Sequence, residues 1–385
     1  MTPLSDHLSV APEQRDLAWL LSALQSAVAL EHATLPLYLS AMFSLQVQGY
    51  TVYNLLRSVA MEEMVHMAIA CNILGALGGT PQIKALDPKF PSNGLPGGAE
   101  PDLHVVLAKV SKKQIQNFMR LEVPAFLLDP KYKKETYPTI ANLYSAIRGA
   151  IESNADACRA ALKKGGTSNQ VGDDIGFTTI TYTEGQDPLP QLYDALDEIV
   201  LQGEGSPSHT LHASQFEGEE SHYAKYAEIY YGRRYSKPQG HVPLTRESEH
   251  EYFKGYPIFP PDVVNLLMVP SDGYDAVLKA DPNGATVEAA MAKFDQAYTG
   301  IMSDLEAMWN GPADKEWPTF GQAVGAMGDL RVLGCFNIMK YQVPESVVAQ
   351  LKTLYPDDYA DLAAYTDLDQ PVFYGPRFRN LNAAS

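Results

Sequence analysis

Two short sequences with the same spacing, Glu63-Met-Val-His66 and Glu219-Glu-Ser-His222, carry the residue types most capable of chemistry in this chain. Each occurs in a stretch whose apolar residues recur with helical spacing. Residues three apart on a helix lie on one face, about one turn from each other. A carboxylate and an imidazole so placed can bind one metal ion. Two such helices, with one inward Glu from each of two others, form the carboxylate-bridged dimetal site of a four-helix bundle.

One of the two additional carboxylates is predicted from an earlier helix. Glu31 lies on the same helical stripe as Leu24, Val28 and Leu35. An acid on an apolar stripe is costly to bury unless a metal or a hydrogen-bond network compensates it. A single Glu-x-x-His pair is weak evidence, because a Glu beside a hydrogen-bonded His is common. Two pairs together with Glu31 favour the metal site.

The last carboxylate has two candidates. Glu122 continues the apolar face formed by Ile115 and Phe118, and we prefer it; its structural alternative is a helix-end Glu paired to Arg120 or a lysine. Glu152 lies one position off the apolar stripe of the next helix.

The choice between adjacent acids rests on spacing. Glu62 lies four residues before His66, and Glu220 lies two residues before His222. Only the spacing of three occurs in both segments, which assigns Glu63 and Glu219 as ligands and leaves Glu62 and Glu220 near the site or on the surface.

Other candidates lie near these ligands. Tyr38 lies two turns beyond Glu31 on the same stripe. It is a candidate hydrogen-bond donor or radical site, the alternative being a packed core tyrosine. His212 shares the predicted face of the second pair, and His209 precedes it by one turn. These two histidines are candidate proton donors or extra ligands, or residues at the helix start. His32 points about 100° around the helix from Glu31 and is predicted to be structural.

Composition excludes several classes of function. The chain has 385 residues and a net charge of -17, which argues against a basic surface for nucleic acid or acidic membranes. Three cysteines without close pairs give no disulfide framework or zinc ribbon. The N-terminus lacks the blocks of a signal peptide, and residues 33–56 are interrupted by polar residues, so no membrane span is expected and a cytoplasmic location is predicted.

The organisation indicated is one large helical domain. Residues 1–235 are predicted to hold the metal-binding bundle with inserted loops, and residues 236–385 a helical extension packed on it. Long ordered loops are expected at 82–110 and 165–208, with a possible short strand at 177–182. Helices are predicted at about 13–45, 51–77, 111–121, 138–164, 189–201, 208–231, 286–309, 319–341 and 344–364.

The chain resembles the ferritin-like domain of iminophenyl-pyruvate dimer synthases, found in violacein-type bisindole pathways, and related stand-alone ferritin-like proteins. The resemblance extends over most of the chain. Its stretches are Ala29-Leu-Glu-His-Ala-Thr-Leu-Pro-Leu-Tyr38, Met61-Glu-Glu-Met-Val-His-Met-Ala68, Asn72-Ile-Leu-Gly-Ala-Leu-Gly-Gly-Thr-Pro81, Phe118-Met-Arg-Leu-Glu-Val-Pro124 and Gly218-Glu-Glu-Ser-His-Tyr-Ala-Lys-Tyr-Ala-Glu-Ile229.

The resemblance implies an all-α fold, a ferritin-like four-helix bundle elaborated with extra helices and long ordered loops. It also implies a di-iron oxidase or oxygenase with two irons per chain, Mn or Zn being alternatives. O2 and a small molecule would be its substrates, and a homo-oligomer is possible. Asn142 departs from the family pattern, which has a Glu there. That departure keeps open an iron-binding protein or a non-catalytic subunit with a degenerate site.

Overall fold

The computed structural model describes residues 2–48, 50–129, 132, 134, 136–166, 168–172, 177–203, 220–238, 240, 242 and 244–383. Helices dominate, which confirms the all-α prediction. The two strands form a small antiparallel hairpin, β1 (Ser92–Leu95) and β2 (Ala99–Val105). The helices are α1 (Leu4–Ser9), α2 (Leu17–Phe43), α3 (Thr51–Ala76), α4 (Lys112–Leu121), α5 (Ile140–Ser153), α6 (Ala155–Lys164), α7 (Leu189–Gly203), α8 (His222–Tyr231), α9 (Asp275–Ala280), α10 (Gly284–Asn310), α11 (Glu316–Val332), α12 (Glu345–Val348), α13 (Leu351–Leu354) and α14 (Tyr359–Tyr365).

The bundle is built on the long pair α2 and α3, which pack along each other. Helix α5 packs on α2, α7 and α8 pack on α3, and α4 packs on α8. Side-chain caps fix where these helices begin: Asp16 accepts from the amide of Trp19, Ser111 from Gln114, and Thr139 from Asn142. These starts determine which residues of each helix face the interior.

Three predicted elements differ from the structure. The helix predicted over 138–164 is interrupted at Asn154, where the backbone leaves the helical region. The described residues of 177–182 form no strand, since they run beside α3 without a partner strand. Residues 208–219 of the helix predicted over 208–231 lie outside the described residues. In the described part the helix begins at His222, because Ser221 has extended backbone and caps the amide of Ala224.

Helix α3 is long and apolar enough to span a membrane by length and composition, but 78% of its apolar segment is buried inside the protein. That burial is typical of the core helix of a bundle.

The C-terminal helices contact the bundle through buried groups. Nε2 of His32 on α2 lies 2.7 Å from the hydroxyl of Tyr298 on α10, and the rings of Phe43 and Phe378 stack 6.3 Å apart. The division of the chain at residue 235 stays a prediction.

Asn72 anchors a loop to α3, two turns beyond His66. Its buried amide donates to the carbonyls of Val171 and Thr178 and accepts from the amide of Val171 and from Nε1 of Trp309, at 2.9–3.1 Å. We expect Asn72→Ala to lower the free energy of unfolding by about 3 kcal/mol, because buried polar groups lose their partners. Thermal unfolding checks this. An equal loss in Gln322→Ala, an exposed control, would contradict it.

Candidate metal centre

Helices α2 and α3 bring the first three predicted ligands together. Glu31, Glu63 and His66 are all buried. Nδ1 of His66 lies 3.8 Å from Oε2 of Glu31 and 3.8 Å from Oε1 of Glu63. The Glu-x-x-His pair of α3 therefore faces Glu31 across the helix pair, as its spacing predicted.

The ends of α4 and α8 supply two more. His222, the first residue of α8, is buried, and its Nδ1 lies 2.7 Å from Oε1 of Glu63 and 3.4 Å from Oε2 of Glu122. The rings of His66 and His222 stack with centroids 5.2 Å apart. Oε1 of Glu63 thus lies between the two imidazoles, with Glu31 on one side and Glu122 on the other.

Each of the three carboxylates accepts a hydrogen bond from its own hydroxyl group through one of its oxygens. Tyr144 donates to Oε1 of Glu31, Thr34 donates to Oε2 of Glu63 at 2.9 Å, and Tyr38 donates to Oε1 of Glu122. In each carboxylate the other oxygen is the one that faces an imidazole nitrogen. The hydroxyls therefore leave one oxygen of each acid facing an imidazole of the cluster.

Both imidazoles are oriented in the same way. Nε2 of His66 lies 2.9 Å from the amide oxygen of Gln202, and Nε2 of His222 lies 2.9 Å from Glu62. Glu62 also accepts from the ammonium of Lys225 at 2.6 and 2.8 Å. A proton on each Nε2 leaves each Nδ1 free to bind a metal, which is how outer partners fix metal-binding histidines.

Burial and charge shift the protonation of these groups. Burial lowers the pKa of His66 to about 3, so its ring is neutral. Burial, followed by the charge of Glu63, raises the pKa of Glu31 well above its usual range. Burial opposes the charged form of His222, but the neighbouring carboxylates of Glu122, Glu62 and Glu63 outweigh it and raise the pKa of His222. Without a metal, protons balance the negative charge of the cluster.

The residues present fit a metal. Ligand atoms of Glu63, His66 and His222 all lie within 4.8 Å of one another. Nδ1 of His222 is buried and, despite its close contact with Glu63, lacks the geometry of a hydrogen bond. Carboxylate oxygens and imidazole nitrogens suit iron, manganese and zinc. Because every outer atom of the set is held and the inner atoms converge, the arrangement is that of a preformed binding site.

A small cavity of about 30 Å³ adjoins this cluster. Apolar residues of α4, α5 and α7 form its other wall, namely Leu121, Ile140, Ile199, Val200 and Gly203. A water needs roughly 10–15 Å³ of such space, so the cavity has room for about two waters.

Three of the residues predicted for the site, namely Glu219, His212 and His209, lie outside the described residues. The spacing argument for Glu219 assumed a helix through both residues of the pair, and α8 begins only at His222. His32 contacts Tyr298 instead of the cluster.

The structure also places the alternative ligand Glu152, the family departure Asn142 and the candidate donor Tyr38. Glu152 is exposed, whereas Glu122 lies in the cluster. The side-chain amide of Asn142 donates to the carbonyls of Lys134 and Tyr137, so the residue that departs from the family pattern ties the preceding segment to the first turn of α5. Tyr38 is fully buried, packs on Phe118, and contacts Glu122.

Sequence reasoning missed four of the residues around the site, although it had singled out Tyr38 and Glu62. Thr34 lies three residues after Glu31, and Lys225 lies three residues after His222, so helical spacing alone would have flagged both. Tyr144 and Gln202 carry no such local signal.

Glu62 offers a test of how His222 is oriented. Burial would raise the pKa of Glu62, but its bonds to His222 and the charge of Lys225 lower it to about 2, so it is a carboxylate at neutral pH. We expect Glu62→Ala to weaken metal binding by about 10- to 100-fold, because His222 loses the partner that fixes its tautomer. Titration with Fe(II) under anaerobic conditions measures this. Unchanged affinity would mean that Glu62 only pairs with Lys225.

Comparisons with known proteins agree with the fold that positions this cluster. A family model described as Ferritin-like matches residues 24–231, more than half of the chain. A crystal structure of a ferritin-like protein from Caulobacter vibrioides, at 1.95 Å resolution, is similar with a TM-score of 0.54 and 19% identity. The match covers 83% of this chain and 94% of that protein, and it confirms the predicted fold. A comparison with curated proteins finds no match. The chain belongs to the ferritin-like family.

Proposed function

We propose that the cluster binds two iron ions and that the loaded protein is an oxidase or oxygenase acting on a small organic molecule with O2. The observation that carries the proposal is the convergence of three carboxylates and two imidazoles, each held from outside by its own hydrogen bond. Bound iron would supply the electrons that reduce O2.

The contacts suggest how the ligands are shared. Glu31 and His66 would hold one ion, and Glu122 and His222 the other. Glu63 would bridge them, because its Oε1 is the carboxylate oxygen next to both imidazoles. Glu219 stays a proposed sixth ligand.

The remaining residues would control protons and water. Burial raises the pKa of Tyr38 and Tyr144 well above the usual range, so both stay protonated as donors to their carboxylates. The apolar wall formed by Ile199 and Val200 would limit access of water to the cluster. His212 stays a candidate proton donor.

The resemblance to iminophenyl-pyruvate dimer synthases suggests aromatic 2-imino acids as the first substrate class to test. Membership of that group, a role in secondary metabolism and a cytoplasmic location are all proposals.

The small cavity favours a second candidate, an iron-binding protein that oxidises iron without an organic substrate. A space of about 30 Å³ admits O2 but no aromatic acid. The two candidates differ in their O2 consumption.

Anaerobic loading with Fe(II), followed by O2 uptake with and without an aromatic 2-imino acid, separates them. An oxygenase or oxidase would consume O2 in many turnovers per iron when the organic substrate and a reductant are present. An iron-oxidising protein would stop once the added iron is oxidised, with or without the organic molecule. Absence of both iron binding and O2 uptake would contradict the metal-based proposal and favour a non-catalytic subunit.

A further inference from the structure

Helix α11 has an apolar face that is exposed to solvent. Its inner face packs on α10 through buried residues such as Ala323 and Leu330. The opposite face carries three large side chains, Trp317, Val324 and Val332, which are 43%, 49% and 50% exposed. A helix of a monomeric protein usually places polar residues there.

The π-helical turns at Leu333–Ile338 extend this face. They follow α11 directly, and Phe336 within them is 61% exposed. The wider π turn rotates the chain by less than 100° per residue, which brings Phe336 back into line with Trp317 and Val332.

Three glycines, Gly321, Gly325 and Gly328, occupy the same face between the large residues. A Cβ at any of them would meet nothing within 4 Å, so no neighbour in the described fold requires glycine. Each costs the helix roughly 1 kcal/mol relative to alanine. Small residues on a helix allow another helix backbone to approach closely, which would offset that cost.

Most of these residues pair with one another when two copies lie antiparallel, the exception being Val324, which falls opposite Asp329. Two copies of α11, related by a two-fold axis midway between Gly325 and Gly328, would place each of these glycines opposite the other. The same axis places Trp317 opposite Phe336 and Gly321 opposite Val332. A two-fold interface requires such pairing of one surface with itself.

One acid and one lysine at opposite ends of the face can pair between two copies. Asp314 precedes α11, Lys340 follows the π-helical turns, and both are exposed. In the antiparallel arrangement the acid of one copy lies near the lysine of the other, and the helix dipoles oppose each other favourably.

The area is close to that of a stable dimer. The guanidinium of Arg331 lies over the ring of Tyr53, so the start of α3 borders the face and adds the half-exposed Val47 and Tyr50. The large apolar residues together present on the order of 600 Å², taking about 200 Å² for a whole large side chain. A standard interface buries about 800 Å² per partner.

We propose that the outer face of α11 binds the same face of a second copy of this chain, antiparallel, to form a homodimer. Helix α11 and the π-helical turns lie outside residues 24–231 and away from the candidate ligands, so the proposal does not depend on metal binding.

Sedimentation velocity of the full chain tests the proposal. The wild-type protein is expected at twice the chain mass of 42.2 kDa, and Gly325→Arg at the mass of one chain. The matched control is Gly300→Arg on α10, since Gly300 is also exposed, helical and open at Cβ, and this variant should stay dimeric. Circular dichroism checks folding, and Val324→Glu replaces any variant that loses helicity. A monomeric wild type, or a dimeric Gly325→Arg, would overturn the proposal.

Cross-linking tests the direction of the helices. In a Cys335→Ala background, Trp317→Cys with Phe336→Cys should give a disulfide-linked dimer on mild oxidation. Trp317→Cys alone should not, because the two copies of residue 317 would lie roughly 28 Å apart at 1.5 Å per residue. Efficient cross-linking of Trp317→Cys alone would overturn the antiparallel arrangement.

Discussion

Glu63→Ala is expected to leave the protein with almost no bound metal after Fe(II) loading, with an affinity at least about 100-fold weaker than that of the wild type. Glu63 has this effect because its Oε1 is the carboxylate oxygen that lies next to Nδ1 of both His66 and His222. Removing it takes a ligand from both proposed ions at once. Elemental analysis after desalting measures the result, together with O2 uptake by the same samples.

The matched control is Glu152→Ala. Glu152 was the alternative ligand from the sequence, and it is exposed on α5. This variant should bind as much iron as the wild type. Equal iron in Glu63→Ala, or equal loss in Glu152→Ala, would contradict the assignment of the site.

Glu31→Gln is expected to stabilise the metal-free protein and to destabilise the protein in the presence of metal. Burial and the charge of Glu63 raise the pKa of Glu31 in the folded state. A carboxyl group with a raised pKa contributes its full stability below its unfolded pKa of 4.5, and that contribution is lost as pH rises through the folded pKa. Glutamine is neutral at every pH and can still accept from Tyr144, so the advantage of the variant should grow with pH.

When metal is bound, the wild type is expected to be more stable than Glu31→Gln. A ligand at 100 to 1,000 times its Kd stabilises the folded state by about 2.7 to about 4.1 kcal/mol, and the variant loses much of this because glutamine is a poorer ligand. Thermal unfolding of both proteins, with iron or with a chelator, over a range of pH measures the reversal. A metal-free variant less stable than the wild type at alkaline pH would show that Glu31 is held as a carboxylate by the fold itself. Glu152→Gln should show neither effect.

The inward positions of the proposed ligands on α2 and α3 were predictable because their signal is local. Glu63 and His66 lie one turn apart on α3, and Glu31 shares an apolar stripe with its neighbours, so periodicity alone placed them on inward faces. Glu122 was preferred over Glu152 on the same reasoning, and the structure buries the first and exposes the second.

Other features depended on contacts between distant residues. The start of α8 is set by the cap at Ser221, so the described residues Glu220 and Ser221 are not helical although the predicted helix included them. The hydroxyl of Tyr144 reaches Glu31 across 113 residues of sequence, and Lys225 reaches Glu62 across 163. The helical spacing of residues cannot predict such contacts, because they depend on how α5 and α8 pack on the long helix pair.

Iron-edge anomalous diffraction from crystals loaded with Fe(II) tests the central claim most directly. The proposed centre predicts about two anomalous peaks in the cavity beside Glu63, with Nδ1 of His66 and Nδ1 of His222 as ligands and Nε2 still bonded to Gln202 and Glu62. Iron bound elsewhere, or no iron between Glu31 and Glu122, would contradict it.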